Sequence, residues 1–181
     1  MVQWNLAAVV GVPGVGKTSL CRQAAKDLEC THVNYGELML EVARQKGLAS
    51  TDSEMFSLDI DVQHQIWRTA AEEIKGMSNV LVDLHGVDKS QIGYIISLPI
   101  ETIFPDIIII IESTCINIME RRHNDPSKRR IIEDIKSIKE HMKLLRSSIA
   151  TCSVILGCTF TVLQNNDFDE CLDELVDILG K

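Results

Sequence analysis

The sequence predicts an α/β fold in which helices cover both faces of a five-stranded parallel sheet. Two observations indicate this fold: short apolar segments alternate with helical patterns along the chain, and the segment 106–112 contains five consecutive isoleucines. A strand that is apolar at every position is buried on both faces, as in parallel sheets, whose strands are joined by crossover helices. The length of 181 residues fits one domain.

Five apolar segments are short enough to be strands. The first, residues 6–10, leads directly into a glycine-rich loop, which is typical of a buried strand at the centre of an α/β sheet. The segment 106–112 is the most apolar of the five. The predicted strands are residues 6–10, 32–35, 79–84, 106–112 and 160–163.

Six segments carry apolar residues at helical spacing. Gly47, Gly76 and Gly157 follow three of them and indicate where those helices end. The sequence His-Asn-Asp-Pro-Ser at residues 123–127 separates two others, because this turn chemistry breaks a helix. The predicted helices are residues 17–29, 37–46, 61–75, 114–122, 129–156 and 167–179.

The composition indicates a soluble, cytoplasmic protein. There are 26 acidic and 18 basic residues, a net charge of −8, which argues against a general nucleic-acid or membrane binder. The six cysteines show no CxxC pair or zinc-site spacing, so reduced thiols are expected. No signal peptide is visible, and the longest aliphatic run is far shorter than the roughly 20 residues that span a bilayer.

A phosphate-binding loop is predicted at residues 11–18, whose sequence G-V-P-G-V-G-K-T matches G-x-x-x-x-G-K-[ST]. Glycines let several backbone N–H groups converge on phosphate oxygens, and the following helix directs its positive N-terminus at them. Lys17 adds a cation for the outer phosphates, and the Thr18 hydroxyl is suited to bind Mg²⁺. We therefore predict a three-layer P-loop NTPase fold that binds ATP or a similar nucleoside triphosphate. The predicted binding residues are Gly11, Val12, Pro13, Gly14, Val15, Gly16, Lys17, Thr18 and Ser19.

Asp83 is the candidate second ligand of Mg²⁺. It ends an apolar segment, Asn-Val-Leu-Val-Asp, and an acidic residue at the end of a neighbouring strand is expected to hold the metal directly or through water. The structural alternative is an aspartate that starts the following turn. Because a phosphate loop lies upstream, we favour the metal role.

The residues around Asp83 allow two further interpretations. Residues 83–86 fit the D-x-x-G pattern of GTPases, but the chain has no N/T-K-x-D segment for guanine recognition, so a GTPase switch is not expected. His85 either faces the phosphates or is a structural residue near a strand end, and the sequence leaves both roles open.

A basic cluster between positions 121 and 130 predicts a short lid. The cluster contains five basic residues and a single acidic one, Asp125, and it lies between two predicted helices. A mobile arginine segment that closes over ATP neutralises the transferring phosphoryl group and excludes water. The alternative is a solvated helix end paired with acidic residues at positions 133–140; beside a phosphate loop we favour the lid. The basic residues are Arg121, Arg122, Lys128, Arg129 and Arg130.

Arg146 is a second isolated basic residue of interest. It lies among leucine and isoleucine residues in the long helix predicted at 129–156. A charge in such surroundings needs either a surface position or a phosphate, and the sequence alone does not choose between them.

Taken together, these residues resemble the archaeal-type adenylate kinases, a short-lid branch of the P-loop nucleoside monophosphate kinases. The resemblance extends over residues 6–165. Beyond the phosphate loop, residues 33–40 resemble N-Y-G-D-x-M-L and residues 63–71 resemble Q-x-x-x-Q-x-x-A-A. Residues 83–99 resemble D-T-H … G-Y-L-P-G-L-P. Only the phosphate loop is specific alone; the order and spacing of the other segments carry the resemblance.

The resemblance implies a Mg²⁺-dependent, reversible transfer from ATP to AMP that gives two ADP. It implies one kinase domain over residues 1–181, with a monophosphate-binding segment at about 36–76 and a short lid at about 121–130, and a possible homotrimer. The implied catalytic residues are Lys17, Arg121, Arg130 and Arg146, and the metal ligands are Thr18 and Asp83. The implied substrate-binding residues are Tyr35, Gly36, Met39, Gln63, His85, Lys89 and Lys128.

The chain departs from the family pattern mostly on the acceptor side. Where relatives carry arginines around a D-E-M segment, residues 51–56 contain no basic residue. Lys89 and Lys128 stand where relatives carry arginine, and Ser-Leu-Pro at 97–99 stands for Gly-Leu-Pro. Lysine keeps the charge of arginine but loses its fork-shaped contact with phosphate. The triphosphate site is intact.

Three functions compete. The leading hypothesis is an AMP-phosphorylating kinase, and the second is a kinase of the same build for another acceptor, such as CMP, UMP or a small metabolite. The third is an ATP-dependent assembly or binding factor that hydrolyses ATP slowly and acts through a partner protein. The third predicts an extra partner-binding segment, which the sequence does not display.

Overall fold

Apolar strands lying side by side form the centre of the molecule. The computed structural model describes residues 3–89, 93–124 and 134–181. The strands are β1 (Leu6–Val10), β2 (Thr31–Asn34), β3 (Val80–Asp83), β4 (Val87–Lys89), β5 (Tyr94–Ile96), β6 (Ile107–Glu112) and β7 (Thr159–Gln164). The helices are α1 (Lys17–Asp27), α2 (Tyr35–Gln45), α3 (Asp52–Met55), α4 (Ile60–Lys75), α5 (Cys115–His123), α6 (Ile135–Leu156) and α7 (Phe168–Leu179).

Five strands form a parallel sheet in the order β2-β3-β1-β6-β7. In its register Val9 of β1 lies opposite Asp83 of β3 and opposite Ile109 of β6. Because the strands are parallel, their carboxyl ends meet at one edge of the sheet. The loop after β1, Asp83 and Glu112 therefore lie at the same edge, where ligands bind in open α/β sheets.

The core lies on both faces of this sheet. Every residue of β1 is buried, as are residues 108–111 of β6, because helices cover both faces. Helices α1 and α7 contact each other and the sheet, while α6 contacts β6, β7 and α5. Burial of each isoleucine contributes on the order of 1.5–3 kcal/mol, so the aliphatic strands supply much of the stability of a chain that is poor in aromatic residues.

The predicted strands and helices are all found, with shifts at their ends. Tyr35 was predicted as the end of a strand, but it begins α2 because the Asn34 side chain accepts a hydrogen bond from Glu37 N at 3.0 Å and caps the helix. The long helix was predicted from residue 129. It begins at Ile135 because Asp134 is extended and caps it by accepting from Ser137 N at 2.7 Å. The predicted lid residues 125–130 lie outside the described residues.

Three elements were not predicted. Helix α3 is a single turn that Thr51 caps by accepting from Glu54 N. Strands β4 and β5 form an antiparallel pair of three residues each, too short for an alternating pattern to be recognised. This pair packs against α6, where His141 Nε2 lies 2.9 Å from Val87 O. Within the described residues, every helix is too short or too polar to cross a membrane.

Gly86 offers a test of how tightly the sheet edge packs on α6. Its φ is +85°, and an added Cβ would lie 2.9 Å from Leu145 Cδ1 and 3.0 Å from Val10 Cβ. Gly47 has a comparable φ of +66° with no heavy atom within 4 Å of an added Cβ. We expect Gly47→Ala to cost about 1–2 kcal/mol of unfolding free energy from backbone strain, and Gly86→Ala about 1–3 kcal/mol more from overpacking. Urea unfolding of both variants measures the difference; equal losses would contradict tight packing at Gly86.

Candidate functional site

The phosphate loop joins β1 to α1 through two glycines that are conformationally required. Gly14 has φ +95° and Gly16 has φ +93°, in the left-handed region that costs other residues about 1–2 kcal/mol. An added Cβ on Gly16 would lie 2.5 Å from Asn165 Nδ2. Both the backbone and the packing of the loop therefore demand glycine at residue 16.

Side chains from distant parts of the chain hold the carbonyl groups of this loop. Val15 O accepts hydrogen bonds from Arg121 Nη1 at 3.0 Å and from Asn165 Nδ2 at 2.7 Å. Arg122 Nε donates to Pro13 O at 2.8 Å. These three donors follow β6 and β7, so the loop is fixed to the sheet edge on which it lies.

The anchored carbonyls determine where the loop's N–H groups point. The described residues contain no cis peptide, and the N–H and C=O of a trans peptide unit point in opposite directions. The N–H of Gly14 therefore points away from Arg122, and the N–H of Gly16 points away from Arg121. The N–H groups of Gly14 and Gly16 are thus directed away from the anchoring side chains, and backbone N–H groups of such a loop are the donors that bind a phosphate.

Helix α1 has an open N-terminus at this loop. In the described residues, six of the seven helices have a side chain that caps their N-terminus, whereas α1 has none and no acidic residue in its first turn. The first N–H groups of a helix need an acceptor, and the helix dipole favours an anion there. Lys17 is buried in the same turn, and its Nζ donates to Gly11 O at 2.6 Å. The loop, the helix and Lys17 thus form an anion site.

Thr18 and Asp83 form a pair of candidate oxygen ligands beside this anion site. The Thr18 hydroxyl donates to Asp83 Oδ2 at 2.5 Å, and Asn34 Nδ2 donates to the same oxygen at 3.0 Å. Asp83 is only 3% exposed, because it ends a strand in the middle of the sheet. The carboxylate is therefore fixed where α1 begins.

The Asp83 carboxyl is held in its charged form. Burial alone would raise its pKa, but His32, the Lys17 charge and the Thr18 hydroxyl outweigh burial and lower the pKa below its ordinary value. His32 Nε2 lies 3.9 Å from Asp83 Oδ2. An anionic oxygen is accordingly available at neutral pH.

These ligands fit Mg²⁺. The described residues contain no cluster of three or more acidic, histidine or cysteine side chains that would form a complete metal cage. Mg²⁺ does not need one, because it commonly uses one or two protein oxygens together with water and substrate phosphates. The adjacent Thr18 and Asp83 oxygens supply such a partial set.

His85 makes hydrogen-bonding contacts within the local structure through both its side chain and its backbone. Its Nδ1 lies 2.6 Å from Asp88 Oδ1, and its backbone oxygen accepts from Gly11 N at 3.2 Å. Burial would raise the pKa of Asp88, but the neighbouring His85 lowers it. The structure thus places His85 at the start of the phosphate loop through its backbone, with its side chain bound to Asp88.

Two predicted cationic residues meet partners on neighbouring elements. Lys89 Nζ donates to Ser137 Oγ at 2.6 Å, which links β4 to the beginning of α6. Arg146 of α6 makes a two-point contact with Glu112 at the end of β6. Two further candidates, Lys128 and Arg130, lie outside the described residues.

Most of the predicted monophosphate-binding side chains support the local fold. Tyr35 is buried and its hydroxyl donates to Trp67 O at 2.6 Å, while Met39 is buried in the core. Gln63 Nε2 donates to Leu58 O at 2.8 Å. Gly36 lies in the first turn of α2. These residues shape the segment between α2 and α4 and leave few free polar groups of their own.

A pocket that the sequence did not reveal lies next to this segment. It has a volume of about 210 Å³ and is bordered by α4 and by the stretch that follows β5. At its edge Arg68 Nε lies 4.0 Å from Glu101 Oε1. The polar and aromatic residues that line it are His64, Trp67, Arg68, Ser97 and Glu101.

Three residues important to the site were missed at the sequence level: Asn34, Glu112 and Asn165. Asn34 had a detectable signal, because an asparagine before a helical pattern is a typical cap. Glu112 ends one predicted strand and Asn165 follows another at the carboxyl edge of the sheet, a position that favours functional residues. Their contacts join segments more than 30 residues apart, and local spacing does not encode such contacts.

Comparison with known protein families adds independent evidence. A family model described as an AAA domain, AAA_17, matches residues 10–139. The chain is 48% identical to an adenylate kinase homolog of Methanothermobacter thermautotrophicus, over 96% of this chain and 89% of the relative. It is 35% identical to an adenylate kinase of Methanoculleus marisnigri, over 94% of this chain and 96% of the relative.

Solved structures share the fold at low sequence identity. A shikimate kinase from Bacteroides thetaiotaomicron superposes with a TM-score of 0.64 at 13% identity, covering 98% of this chain and 99% of that one. A shikimate kinase from Acinetobacter baumannii superposes with a TM-score of 0.61 at 14% identity, covering 97% and 93% of the two chains. At these identities the likeness concerns the three-layer architecture of a P-loop kinase.

The paired ligands predict a specific defect in Asp83→Asn. The amide keeps the shape of the side chain and an oxygen that accepts from Thr18, but it removes the negative charge. We expect the Mg²⁺ concentration for half-maximal ATP binding to rise about 10- to 100-fold. Asp106→Asn is the matched control, because Asp106 lies just before β6 at the opposite edge of the sheet. Titration of ATP binding at a series of Mg²⁺ concentrations measures the shift; an unchanged Mg²⁺ requirement would exclude Asp83 as a ligand.

Proposed function

Because the chain belongs to the adenylate kinase family, we propose that it transfers a phosphoryl group reversibly between MgATP and AMP, with two ADP as the products. The observation that carries the proposal is the Thr18–Asp83 pair at the open N-terminus of α1. This pair lies beside an anchored phosphate loop, which supports the binding of a triphosphate and of its metal at one place.

The donor half of the site would act mainly by binding and orientation. Phosphoryl transfer requires little covalent chemistry from the protein, so rate comes from alignment and from neutralising charge. The N–H groups of the loop, including those of Gly14 and Gly16, would hold the triphosphate, and Lys17 would leave Gly11 O to contact the outer phosphates. Thr18 and Asp83 would hold Mg²⁺, which when bound neutralises phosphate charge and orients the transferring group.

Arginine residues would neutralise the group in transfer. Arg146 is half-exposed near the carboxyl edge of the sheet, and Arg121 reaches the rim of the phosphate loop. In the present arrangement Arg121 donates to two carbonyls, those of Val15 and Asn165, which supports a loop-holding role as well. Arg130 and Lys128 are proposed to contribute from the lid on the strength of the family resemblance.

The acceptor half would lie between α2, α4 and the β4–β5 pair. We propose that Lys89 supplies positive charge for the acceptor phosphate and that the pocket beside Trp67 receives the rest of the acceptor. Gly36, in the first turn of α2, would allow close approach of the ligand, and Tyr35, Met39 and Gln63 would maintain the walls. His85 would act through its link to Asp88 and to the loop.

A kinase for a different acceptor is the second candidate function. Helix α3, in the monophosphate-binding segment, carries Asp52 and Glu54 and no basic residue. The nearby Arg44 already donates from Nε and Nη2 to Ser50 O, at 3.1 and 3.0 Å. Fewer cations for an acceptor phosphate favour another monophosphate or a small metabolite. A slow ATPase that acts as an assembly factor is the third candidate and shares the same donor site.

We also propose a cytoplasmic location and association between copies of the chain. All six cysteines are free thiols, which supports a reducing compartment. Val154 is 82% exposed and Ile155 is 65% exposed at the end of α6, and such apolar surface supports self-association. The family resemblance favours a trimer, whose mass light scattering would measure.

Product analysis tests the proposed reaction. We expect MgATP with AMP to yield ADP rapidly, and Lys17→Ala to slow this reaction about 100-fold or more, because a phosphate-binding cation is lost. Lys26→Ala is the matched control on the exposed last turn of α1 and should retain full activity. Chromatography of reactions with AMP, CMP, UMP, GMP and no acceptor gives the rates.

Each pattern of products selects one function. ADP formation with AMP alone supports the adenylate kinase reaction. Rapid turnover with a different monophosphate moves the assignment to that acceptor. Slow ADP release that is indifferent to every acceptor contradicts the kinase proposal and favours an ATPase that acts on a partner protein.

Lys89 gives a separate test of the acceptor half. Lys89→Ala removes a charge-assisted hydrogen bond worth about 1.5–3 kcal/mol, so we expect the KM for AMP to rise about tenfold or more. The KM for ATP should stay unchanged. Lys75→Ala, at the exposed end of α4, is the control. Steady-state kinetics with each substrate varied in turn measures both constants, and a rise confined to the KM for ATP would argue against an acceptor role.

A further inference from the structure

Glu112 is a buried carboxylate beside the phosphate loop that has no role in the transfer described above. It is the last residue of β6 and is 7% exposed. Its backbone oxygen accepts from Asn165 N at 2.7 Å, and the Asn165 side chain donates to Val15 O of the phosphate loop. Glu112 is thus joined to the loop through a single residue, which fixes its position relative to the triphosphate.

The Glu112 side chain holds the Arg146 guanidinium at two points. Arg146 Nε donates to Oε1 and Nη2 donates to Oε2, both at 2.5 Å. Gln164 Nε2 also donates to Oε2, at 3.1 Å, and further restrains the carboxylate. A two-point contact determines the plane and the direction of a guanidinium group, whereas a single hydrogen bond leaves it free to rotate.

This contact leaves the outer edge of the guanidinium available. A guanidinium carries five N–H groups, of which Glu112 receives two. The remaining three lie on Nη1 and Nη2, which form a fork that matches two oxygens of a phosphoryl group. The Arg146 side chain is 51% exposed, so a ligand at the sheet edge has access to it.

We propose that Glu112 is a positioning residue that holds Arg146 with its outer Nη1–Nη2 edge toward the phosphoryl group in transfer. The inference rests on the proposed function, since the transferring group is what Arg146 would contact. Burial alone would raise the pKa of Glu112, but hydrogen bonds from Arg146 and Gln164 lower it, and the carboxylate therefore stays charged. Preorganisation of this kind lowers a barrier because the charge needs no reorientation during the reaction.

A purely structural ion pair between β6 and α6 is the competing explanation. Such a pair would affect folding stability and would change activity only through the amount of folded protein. A positioning role predicts instead that the effect of Glu112 depends on the presence of Arg146. A double-mutant cycle separates these explanations, because it isolates the coupling between the two residues.

The cycle uses Glu112→Gln, which keeps the side-chain shape but removes its charge. We expect kcat to fall about 10- to 100-fold, with the KM values for ATP and AMP changed less than about threefold. In the Arg146→Ala background, the same substitution should change kcat less than about twofold, because no guanidinium is left to orient. Glu72→Gln is the control: Glu72 is an exposed acid that pairs with Lys75 at 3.6 Å, and its loss should leave kcat unchanged.

Glu112→Asp separates a loss of orientation from a loss of folded protein. It keeps the charge but shortens the side chain by one methylene, so it should displace the guanidinium and lower kcat while the unfolding free energy stays near that of the wild type. An equal fall of kcat from Glu112→Gln in both backgrounds would overturn the proposal, as would a kcat that simply follows the folded fraction. Failure of the proposed function can be told apart from failure of this inference. In the first case the wild-type protein itself would be inactive with every acceptor, and the role of Glu112 would be rejected together with the function.

Discussion

The orientation of the peptide groups in the phosphate loop is the constraint on which the rest of the site depends. A loop of mixed orientation would present carbonyl oxygens to a phosphate and repel it. Here Arg122 binds the Pro13 carbonyl and the pair of Arg121 and Asn165 binds the Val15 carbonyl, so the N–H groups of Gly14 and Gly16 point away from these side chains and toward a proposed anion. The left-handed Gly14 and Gly16 permit this backbone path, and the open N-terminus of α1 completes it.

The same contacts connect the donor site to the outer strands of the sheet. Asn165 follows β7, and it binds Val15 O through its side chain and Glu112 O through its backbone. A displacement of the phosphate loop would therefore move the end of β6, where Glu112 holds Arg146. The loop, Glu112 and the candidate arginine therefore belong to one hydrogen-bonded frame along the carboxyl edge of the sheet, and alignment of this kind is what phosphoryl transfer depends on.

The sequence predicted the strands and helices of the fold better than the side-chain contacts between them. The strand at residues 6–10 and the isoleucine run of β6 were recognisable because burial on both faces leaves an uninterrupted apolar pattern. The phosphate loop and Asp83 were recognisable because glycines and strand ends have local signatures. The β4–β5 pair was missed because three-residue strands carry too few positions for alternation. The roles of Asn165 and Glu112 were missed because they arise only when β6, β7 and the loop come together.

The two proposed halves of the site use different chemistry, and this accounts for a phosphate loop that keeps the family pattern beside acceptor positions, such as Lys89, that depart from it. The donor half combines backbone N–H groups, which substitutions other than proline leave in place provided that the required glycines stay, with the side chains of Lys17, Thr18 and Asp83. The acceptor half relies on side chains, where lysine in place of arginine preserves charge but loses the two-point contact with phosphate. Under the proposed function, acceptor choice would change at residues such as Lys89, which donates to Ser137 Oγ at 2.6 Å, without any change in ATP binding. Selectivity in this fold can diverge through a few side chains around a donor site that the backbone keeps fixed.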